Sequence, residues 1–307
     1  MKRFLLLTVL LLCVEVISAE KPQNDWEKYG LKGKVKWAEM AAYSATEEDD
    51  GSLVQGGRVA LMYVTFNEQG QVLTEASESL KSPGSDGRKV YTYDEHGNKV
   101  SILSYSPDGV PVRKIAMTYD SRGNMLEHIH TELQGEDSTQ WIATSYKYND
   151  KNQQVAYSTL YGDGSVGYGR QYTYDENGNM VKWQGYDPED GFTSYGLLTY
   201  DENGNVVEDV VYSSEGRVDS KEIHRYNEAN KRIETTIYYG DDEVVSVKRY
   251  SYDDRGNPLE YIRERESHTE VKTCTYEYDE HGSWIRSVAY VDGCPDYIYT
   301  QLIEYYE

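Results

Sequence analysis

From Phe66 to the end of the chain, apolar and polar positions follow one rule with a period of about 26 residues. The clearest copy reads Tyr93-Asp94-Glu95-His96-Gly97-Asn98-Lys99-Val100, and close copies begin at Tyr119, Tyr174, Tyr200, Tyr252 and Tyr278. Looser ones begin at Phe66, Tyr148 and Tyr226, giving nine units at steps of 26 to 29 residues. A fixed period of this size is the mark of a repeat architecture and outranks any local reading. Counting each unit from its Tyr (or Phe66) as position zero, position seven is apolar in every copy: Leu73, Val100, Leu126, Val155, Val181, Val207, Ile233, Leu259 and Ile285. Two residues before the Tyr stands another ring or apolar group, as in Tyr91, Met117, Tyr146, Tyr172, Leu198, Tyr250 and Tyr276, with His224 the exception. A β-former or long polar residue such as Thr92 or Thr118 lies between them. Period-two patterning with one apolar face predicts strands.

The polar residues between these strands predict their turns. Position one is Asp or Asn in all nine units, and its side chain can accept the backbone N–H two residues on, which pre-forms a type I turn. Position four is Gly70, Gly97, Gly123, Gly178, Gly204, Gly256 and Gly282, replaced only by Asn152 and Asn230. Asn is the commonest non-glycine residue at positive φ, so every unit keeps a residue able to turn left-handed, as a three-residue hairpin with a bulge requires. A second, more variable turn follows, as in Ser106-Pro107-Asp108-Gly109 and Gly162-Asp163-Gly164. Each unit thus gives two antiparallel strands, with register left open by the bulge. The expected fold is all-β: a continuous antiparallel meander of hairpin repeats forming a curved or spiralling single-layer sheet of roughly twenty strands, at two per repeat.

Upstream, Lys34–Tyr43 alternates Val35, Trp37, Glu39, Ala41 and Tyr43 and reads as a first strand. Arg58–Phe66 is apolar in both phases, which fits a capping strand with two buried faces. The domain reading is a signal peptide over 1–19, a tether and capping hairpin over 20–65, and nine repeats over 66–307, one domain with the cap. Met1-Lys2-Arg3, the apolar run Phe4–Val14 and Ile17-Ser18-Ala19 together make the secretory signal, with cleavage expected after Ala19. A lipoprotein signal at Cys13 is the rival reading. It is disfavoured because Leu12 is a poor residue before such a cysteine and Cys13 lies inside the apolar run. The protein is therefore expected to be exported, whether periplasmic, cell-surface or secreted, and no later stretch is apolar enough for a transmembrane helix.

Removing Lys2, Arg3 and Glu15 from 31 basic and 53 acidic residues leaves 29 and 52, a formal charge of −23. Such a surface repels nucleic acid and anionic lipid. Cys274 and Cys294 remain, and an exported protein can hold a bridge between them. The 31 Tyr against 3 Phe suit a thin structure, where a ring is half buried and its hydroxyl still reaches water or a partner.

The repeated Tyr-Asp-x-x-Gly resembles the tyrosine-aspartate repeats of bacterial Rhs and wall-associated proteins and of teneurins, over about 66–290. That resemblance implies long antiparallel sheets that spiral into shells, and an association with toxin encapsulation, cell-surface contact or carbohydrate binding. The chain departs from the family in carrying Asn98, Asn124, Asn179, Asn205 and Asn257 where Arg usually follows the Gly. It also has a longer period and lacks an Rhs core segment and a toxin domain.

Candidate chemistry is sparse. His128 and His130, at i and i+2 on one strand face, could chelate a metal, but no third ligand is near in sequence. The Asp-rich turns lack the nonapeptide pattern of calcium β-rolls. No Ser-His-Asp order, phosphate loop or zinc signature occurs. No catalytic residue, cofactor or metal is therefore expected. Trp141, Trp183 and Trp284, which share no repeat position, are the candidate binding residues on a Tyr-lined sheet, against sugar rings or peptide. An outer-membrane barrel is disfavoured by 219–226, where one face carries Asp219, Lys221 and Arg225 and the other Ser220, Glu222 and His224. The reading reached is a non-enzymatic exported module binding a glycan or protein partner at the cell envelope. The alternatives are a structural envelope protein without a specific small ligand and, third, an enzyme of unknown class.

Overall fold

The computed structural model describes residues 24–79, 87–134 and 137–307. The expected signal peptide and Cys13 lie outside them. Twenty strands run from β1 (Val35–Glu47), β2 (Leu53–Phe66) and β3 (Val72–Ser79) to β19 (Trp284–Val291) and β20 (Cys294–Tyr305), each antiparallel to its neighbours in the chain. The last strand then pairs with the first, in the register Val35↔Tyr305, Ala38↔Ile303 and Tyr43↔Ile298. The sheet is a closed barrel without an edge. This corrects the expected open, spiralling sheet: the meander and its hairpins are as read, but β1 has two partners, β2 and β20, rather than one. Nor is β2 sandwiched between two layers. Of its residues only Val64 and Phe66 are buried, both on one face, and the opposite phase is part of the outer wall.

Burial separates the two faces. Thr235 is 1 % exposed, Ser246 3 % and His224 7 %, although no second layer covers that stretch. Side chains crowd one another only where a curved sheet brings them together, so these project from the concave face. Register then assigns the rest, since successive residues alternate sides. Positions zero, six and nine point inward, as does the position two before the Tyr. Position eight and the residue just before the Tyr point outward. Barrels of roughly 16–18 strands already leave an aqueous channel, so twenty strands enclose a lumen that their own side chains cannot fill.

Register also accounts for the repeat motif. Tyr200 stands opposite Val206 while Thr199 stands opposite Glu208, so position seven is an extra residue in the ladder, and the same shift recurs in all nine units. The bulge disturbs backbone pairing beside position six. There the Tyr hydroxyl donates to the backbone carbonyl: Tyr93 to Val72, Tyr119 to Lys99, Tyr174 to Gln154, Tyr200 to Met180, Tyr226 to Val206 and Tyr252 to Arg232, all at 2.7–2.8 Å. A Phe could fill the space but not supply the donor. Phe66, the one phenylalanine at position zero, belongs to the first unit and has no preceding unit to bond.

In the turns, Asp94 Oδ1 accepts the N–H groups of His96 and Asn98, and Asn98 Nδ2 donates to Asp94 Oδ2. This side-chain pairing gives the Asn at position five its role in the turn. In two of the three units with Asn at position one the polarity reverses and position five is Gln: Asn67 donates to Gln71 Oε1, and Asn149 to Gln153 Oε1, while Asn227 is followed by Lys231, whose backbone N–H it accepts. The longer Gln then reaches the next unit, donating to the carbonyls of Gly97 and Gly178. All nine position-four residues have positive φ, from 57° at Asn230 to 92° at Gly178. The two asparagines also accept from the unit before, Asn124 Nδ2 reaching Asn152 Oδ1 at 3.2 Å and Asn205 Nδ2 reaching Asn230 Oδ1 at 3.1 Å.

The segment expected as a tether is built into the seam. A single helical turn, α1 (Asp25–Lys28), is capped by Asn24 and lies on the inner face where the barrel closes. Asp25 N–H donates to the Gly70 carbonyl, and Asp25 Oδ2 accepts from Val72 N–H. Trp26 Nε1 donates to the Val35 carbonyl at 2.8 Å. On the other side Lys32 N–H meets Ser283 Oγ, and Gln301 Nε2 donates to the Tyr29 carbonyl. Trp26, Tyr29 and Leu31 pack on Val35, Val64, Phe66 and Val72, the main buried cluster of the described residues. One segment thus touches strands on both sides of the β20–β1 junction.

Candidate functional site

The inner wall changes character around the barrel, and one sector is aromatic. It spans six consecutive strands: β6 (Pro111–Tyr119), β7 (Met125–Gln134), β8 (Asp137–Tyr148), β9 (Gln154–Tyr161), β10 (Val166–Tyr174) and β11 (Met180–Asp187). The register Met117↔His128, Tyr146↔Tyr157 and Tyr172↔Trp183 puts one inward tier of rings on neighbouring strands. Tyr146 and Tyr157 have ring centroids 6.3 Å apart, and Tyr157 lies 6.3 Å from Tyr168 and 6.4 Å from Tyr172. These are tilted contacts within the range of favourable aromatic pairs. At one end His128 meets Tyr146 and His130, and His130 is edge-on to Trp141 at 5.6 Å.

Two guanidiniums frame the sector. Arg113 lies 5.8 Å from the Trp141 ring and 3.8 Å from Glu132. Arg170 stacks on Trp183 at 4.0 Å and donates from Nε to the Tyr168 hydroxyl. The Trp183 indole is housed by Gly196, where a β-carbon would stand 2.1 Å from its Nε1. Burial holds both histidines below their ordinary range, with Arg113 and His128 adding to the effect at His130. They are neutral near pH 7; His128 Nδ1 is 2.8 Å from the Tyr146 hydroxyl, and His130 Nδ1 is buried without a partner. Among the described residues no group of three metal-ligating side chains gathers around them.

Of the three tryptophans picked out by sequence, Trp141 and Trp183 line this sector three strands apart, the first 42 % exposed and the second 8 %. Trp284 does not join them. It sits at position six of the last unit against the backbone of Gly30, where it supports the N-terminal segment. Sequence reasoning passed over Arg113, Arg170, Tyr157 and Tyr168. Their common signal is placement at inward strand positions, which becomes visible only once the bulge fixes the register. On the strands just beyond Trp183 the wall turns ionic, before rings return where Tyr250 and Tyr261 meet at 5.5 Å. Asp209 stands directly opposite Glu222, and burial together with Glu222 pushes the Asp209 carboxyl up. His224, bonded through Nδ1 to Thr235, is pushed down to about 4 by burial, with Arg232 and Lys248 adding. Cys274 and Cys294 are not joined to each other: Cys274 pairs across to Ala289, and Cys294 to Val291.

No family model matches the chain, and no curated protein matches it. Solved structures that resemble it include TcdB2–TccC3 without its hypervariable C-terminal region, at 16 % identity and TM-score 0.41 over 82 % of this chain and 16 % of that one. A porin-like protein from Bacteroides uniformis matches at 12 % identity and TM-score 0.37 over 89 % of this chain and 98 % of that one. A second, from Bacteroides vulgatus, matches at 11 % identity and TM-score 0.28 over 86 % and 98 %. The chain spans about a sixth of the length of TcdB2–TccC3.

Proposed function

We propose that this chain is an exported, non-enzymatic binding protein: a water-surrounded β-barrel that takes a saccharide against the aromatic sector of its inner wall. The observation that carries the reading is the run of rings from Trp141 to Trp183 on β8 to β11. The Tyr146 and Tyr168 hydroxyls bond to His128 and Arg170, Trp141 is 42 % exposed and the tyrosines are partly open, while Trp183 is covered by Arg170. Sites for small ligands combine such apolar and aromatic surfaces with a few placed polar groups, and sugar rings present both kinds of face.

The outer wall supports a barrel in water rather than in lipid. Outward strand positions carry ion pairs, with Arg249 in the middle of β16 (Glu243–Tyr252) between Glu234 and Glu264 at 3.1 and 2.7 Å, and Arg286 on Glu277 at 2.8 Å. A charged residue facing lipid at mid-height costs about 2–4 kcal/mol. No helix among the described residues is long and apolar enough to cross a membrane, a fact that does not bear on strands.

The test is a glycan array followed by calorimetry on the chain from Glu20. Binding weakened at least tenfold by Tyr157→Ala or Trp141→Ala, with melting unchanged, supports the reading. Absence of binding to any glycan sinks it, as does binding that neither substitution alters. Chromatography of the bound saccharide after incubation checks the non-enzymatic part: cleaved product would overturn it.

A further inference from the structure

We propose that the saccharide is an anionic one, its acidic groups held by Arg113 and Arg170 while its rings lie on the aromatic tract between them; this rests on the saccharide reading above. The argument is one of charge against background. The protein carries 53 acidic residues against 31 basic ones, so a stretch of wall lacking acid stands out. From Arg113 through Trp183, Glu132 is the one carboxylate among the described inward strand side chains, and it leans on Arg113 at the rim. The cations there are the two arginines, and the remaining inward groups are rings, hydroxyls, aliphatic side chains, the Gln154 amide and the two imidazoles.

Arg170 is presented for a partner. It makes no ion pair among the described residues, lies flat on Trp183 at 4.0 Å, and spends Nε on Tyr168. That leaves its terminal N–H groups, the part of a guanidinium that grips a carboxylate or sulfate in a fork. Asp209 feels its charge from beyond Trp183 without bonding it. Arg113 and Arg170 stand four strands apart, about 19 Å at the usual spacing between strands. A ligand meeting both must therefore be several rings long and carry repeated charge. A short acidic metabolite meets one arginine at most. An acidic peptide meets the charges but gives the rings between them little to stack on.

The experiment compares three probes by calorimetry on the chain from Glu20: oligogalacturonate, the same oligomer with its carboxyls methyl-esterified, and poly-glutamate of similar length. The proposal predicts that the acid form binds at least tenfold tighter than the ester and that its affinity falls as salt rises. Arg170→Gln and Arg113→Gln should each cost the acid form about tenfold and leave the ester unchanged. Arg170→Lys, which keeps the charge but loses the fork and the stacking, should recover only part. Equal binding of acid and ester overturns the proposal while leaving the saccharide reading standing. Poly-glutamate binding as tightly as oligogalacturonate also overturns it, because charge alone would then suffice. If no oligosaccharide binds, both readings fall. Melting curves of the arginine variants, expected to match the parent, separate loss of binding from loss of fold.

Discussion

Two glycines with the same backbone conformation separate the energy of a turn from that of the closed seam. Gly204 has φ +82° and Gly70 φ +80°. A β-carbon at Gly204 would have nothing within 4 Å, so alanine there meets only the left-handed conformation, about 1–2 kcal/mol. At Gly70 the same atom would lie 2.8 Å from Trp26 Cε3 and 2.9 Å from the β-carbon of Asn24. Those contacts are too short to stand. Trp26 is held by its bond to the Val35 carbonyl, so α1 must shift or the turn must. Overpacking of this kind adds about 1–3 kcal/mol, which puts Gly70→Ala at about 2–5 kcal/mol in all. The assay is urea unfolding followed by both tryptophan fluorescence and circular dichroism, since a repeat array need not unfold in one step. In a Trp26→Ala background the excess at Gly70 should shrink toward the Gly204 value, the signature of two residues in contact. Equal losses at the two glycines in the parent would show that α1 does not rest on this turn. No loss at Gly204 would refute the left-handed turn itself.

Three further outcomes are expected. Tyr200→Phe, which removes the donor to the Met180 carbonyl and nothing else, should cost about 0.5–1.5 kcal/mol in urea melts, whereas a mutant as stable as the parent would mean that water replaces the hydroxyl freely. At Glu75, burial pushes the carboxyl up, but the Tyr29 and Tyr91 hydroxyls and the Lys28 and Lys89 ammonium groups outweigh it and hold the group below its ordinary 4.5. Its contribution is therefore complete above pH 4.5 and lost as pH falls further, and Glu75→Gln should flatten that limb of a stability–pH curve; an unchanged limb counts against the cluster. His224, pushed down to about 4 from 6.5, also stabilises most above pH 6.5 and progressively less toward pH 4; His224→Tyr, the residue type at this place in other units, should remove on the order of 1–3 kcal/mol of that dependence, and a slope that persists would assign it elsewhere.

What the chain revealed from sequence was what one unit dictates to itself. The turn is such a case: Asp at position one and Gly or Asn at position four act within five residues, so their chemistry can be read from letters alone. The pairing of Asp with Asn in five units, and of Asn with Gln in two, is equally local, yet it became legible only when the side-chain bonds showed why those choices travel together; Asn227 with Lys231 and Asp279 with Ser283 keep only the backbone part of the turn. Position seven shows what register adds to an apolar pattern. It is apolar in all nine units, but the bulge makes it the extra residue in the ladder. Leu73, Leu126 and Leu259 end 37–42 % exposed, while position six takes the inward place. The first strand, read over Lys34–Tyr43, is β1, but burial along it does not alternate cleanly: of the set Val35, Trp37, Glu39, Ala41 and Tyr43 only Val35 and Ala41 are buried, and Ala38, Met40 and Ala42 between them are buried as well.

Closure belongs to no unit. Each hairpin contributes a small twist and stagger, and whether the twentieth strand meets the first depends on their sum over the whole ring. An open spiral and a barrel can be written with the same unit, so the repeat motif does not distinguish them. What does distinguish them here lies outside the repeats, in a segment whose sequence resembles a tether. Asp25, Trp26 and Tyr29 join the first repeats to β1, Lys32 and Gly30 meet the last unit at Ser283 and Trp284, and Tyr306 donates its hydroxyl to the Phe66 carbonyl from beyond β20. The bond from Lys32 to Ser283 alone joins residues 251 positions apart, and no period or propensity could have paired them. The inner aromatic sector depends on the same step. Until the sheet is closed and its concave side fixed, Arg170 and Trp183 are only two residues on neighbouring strands; once it is closed, they face an enclosed lumen that the rest of the chain surrounds.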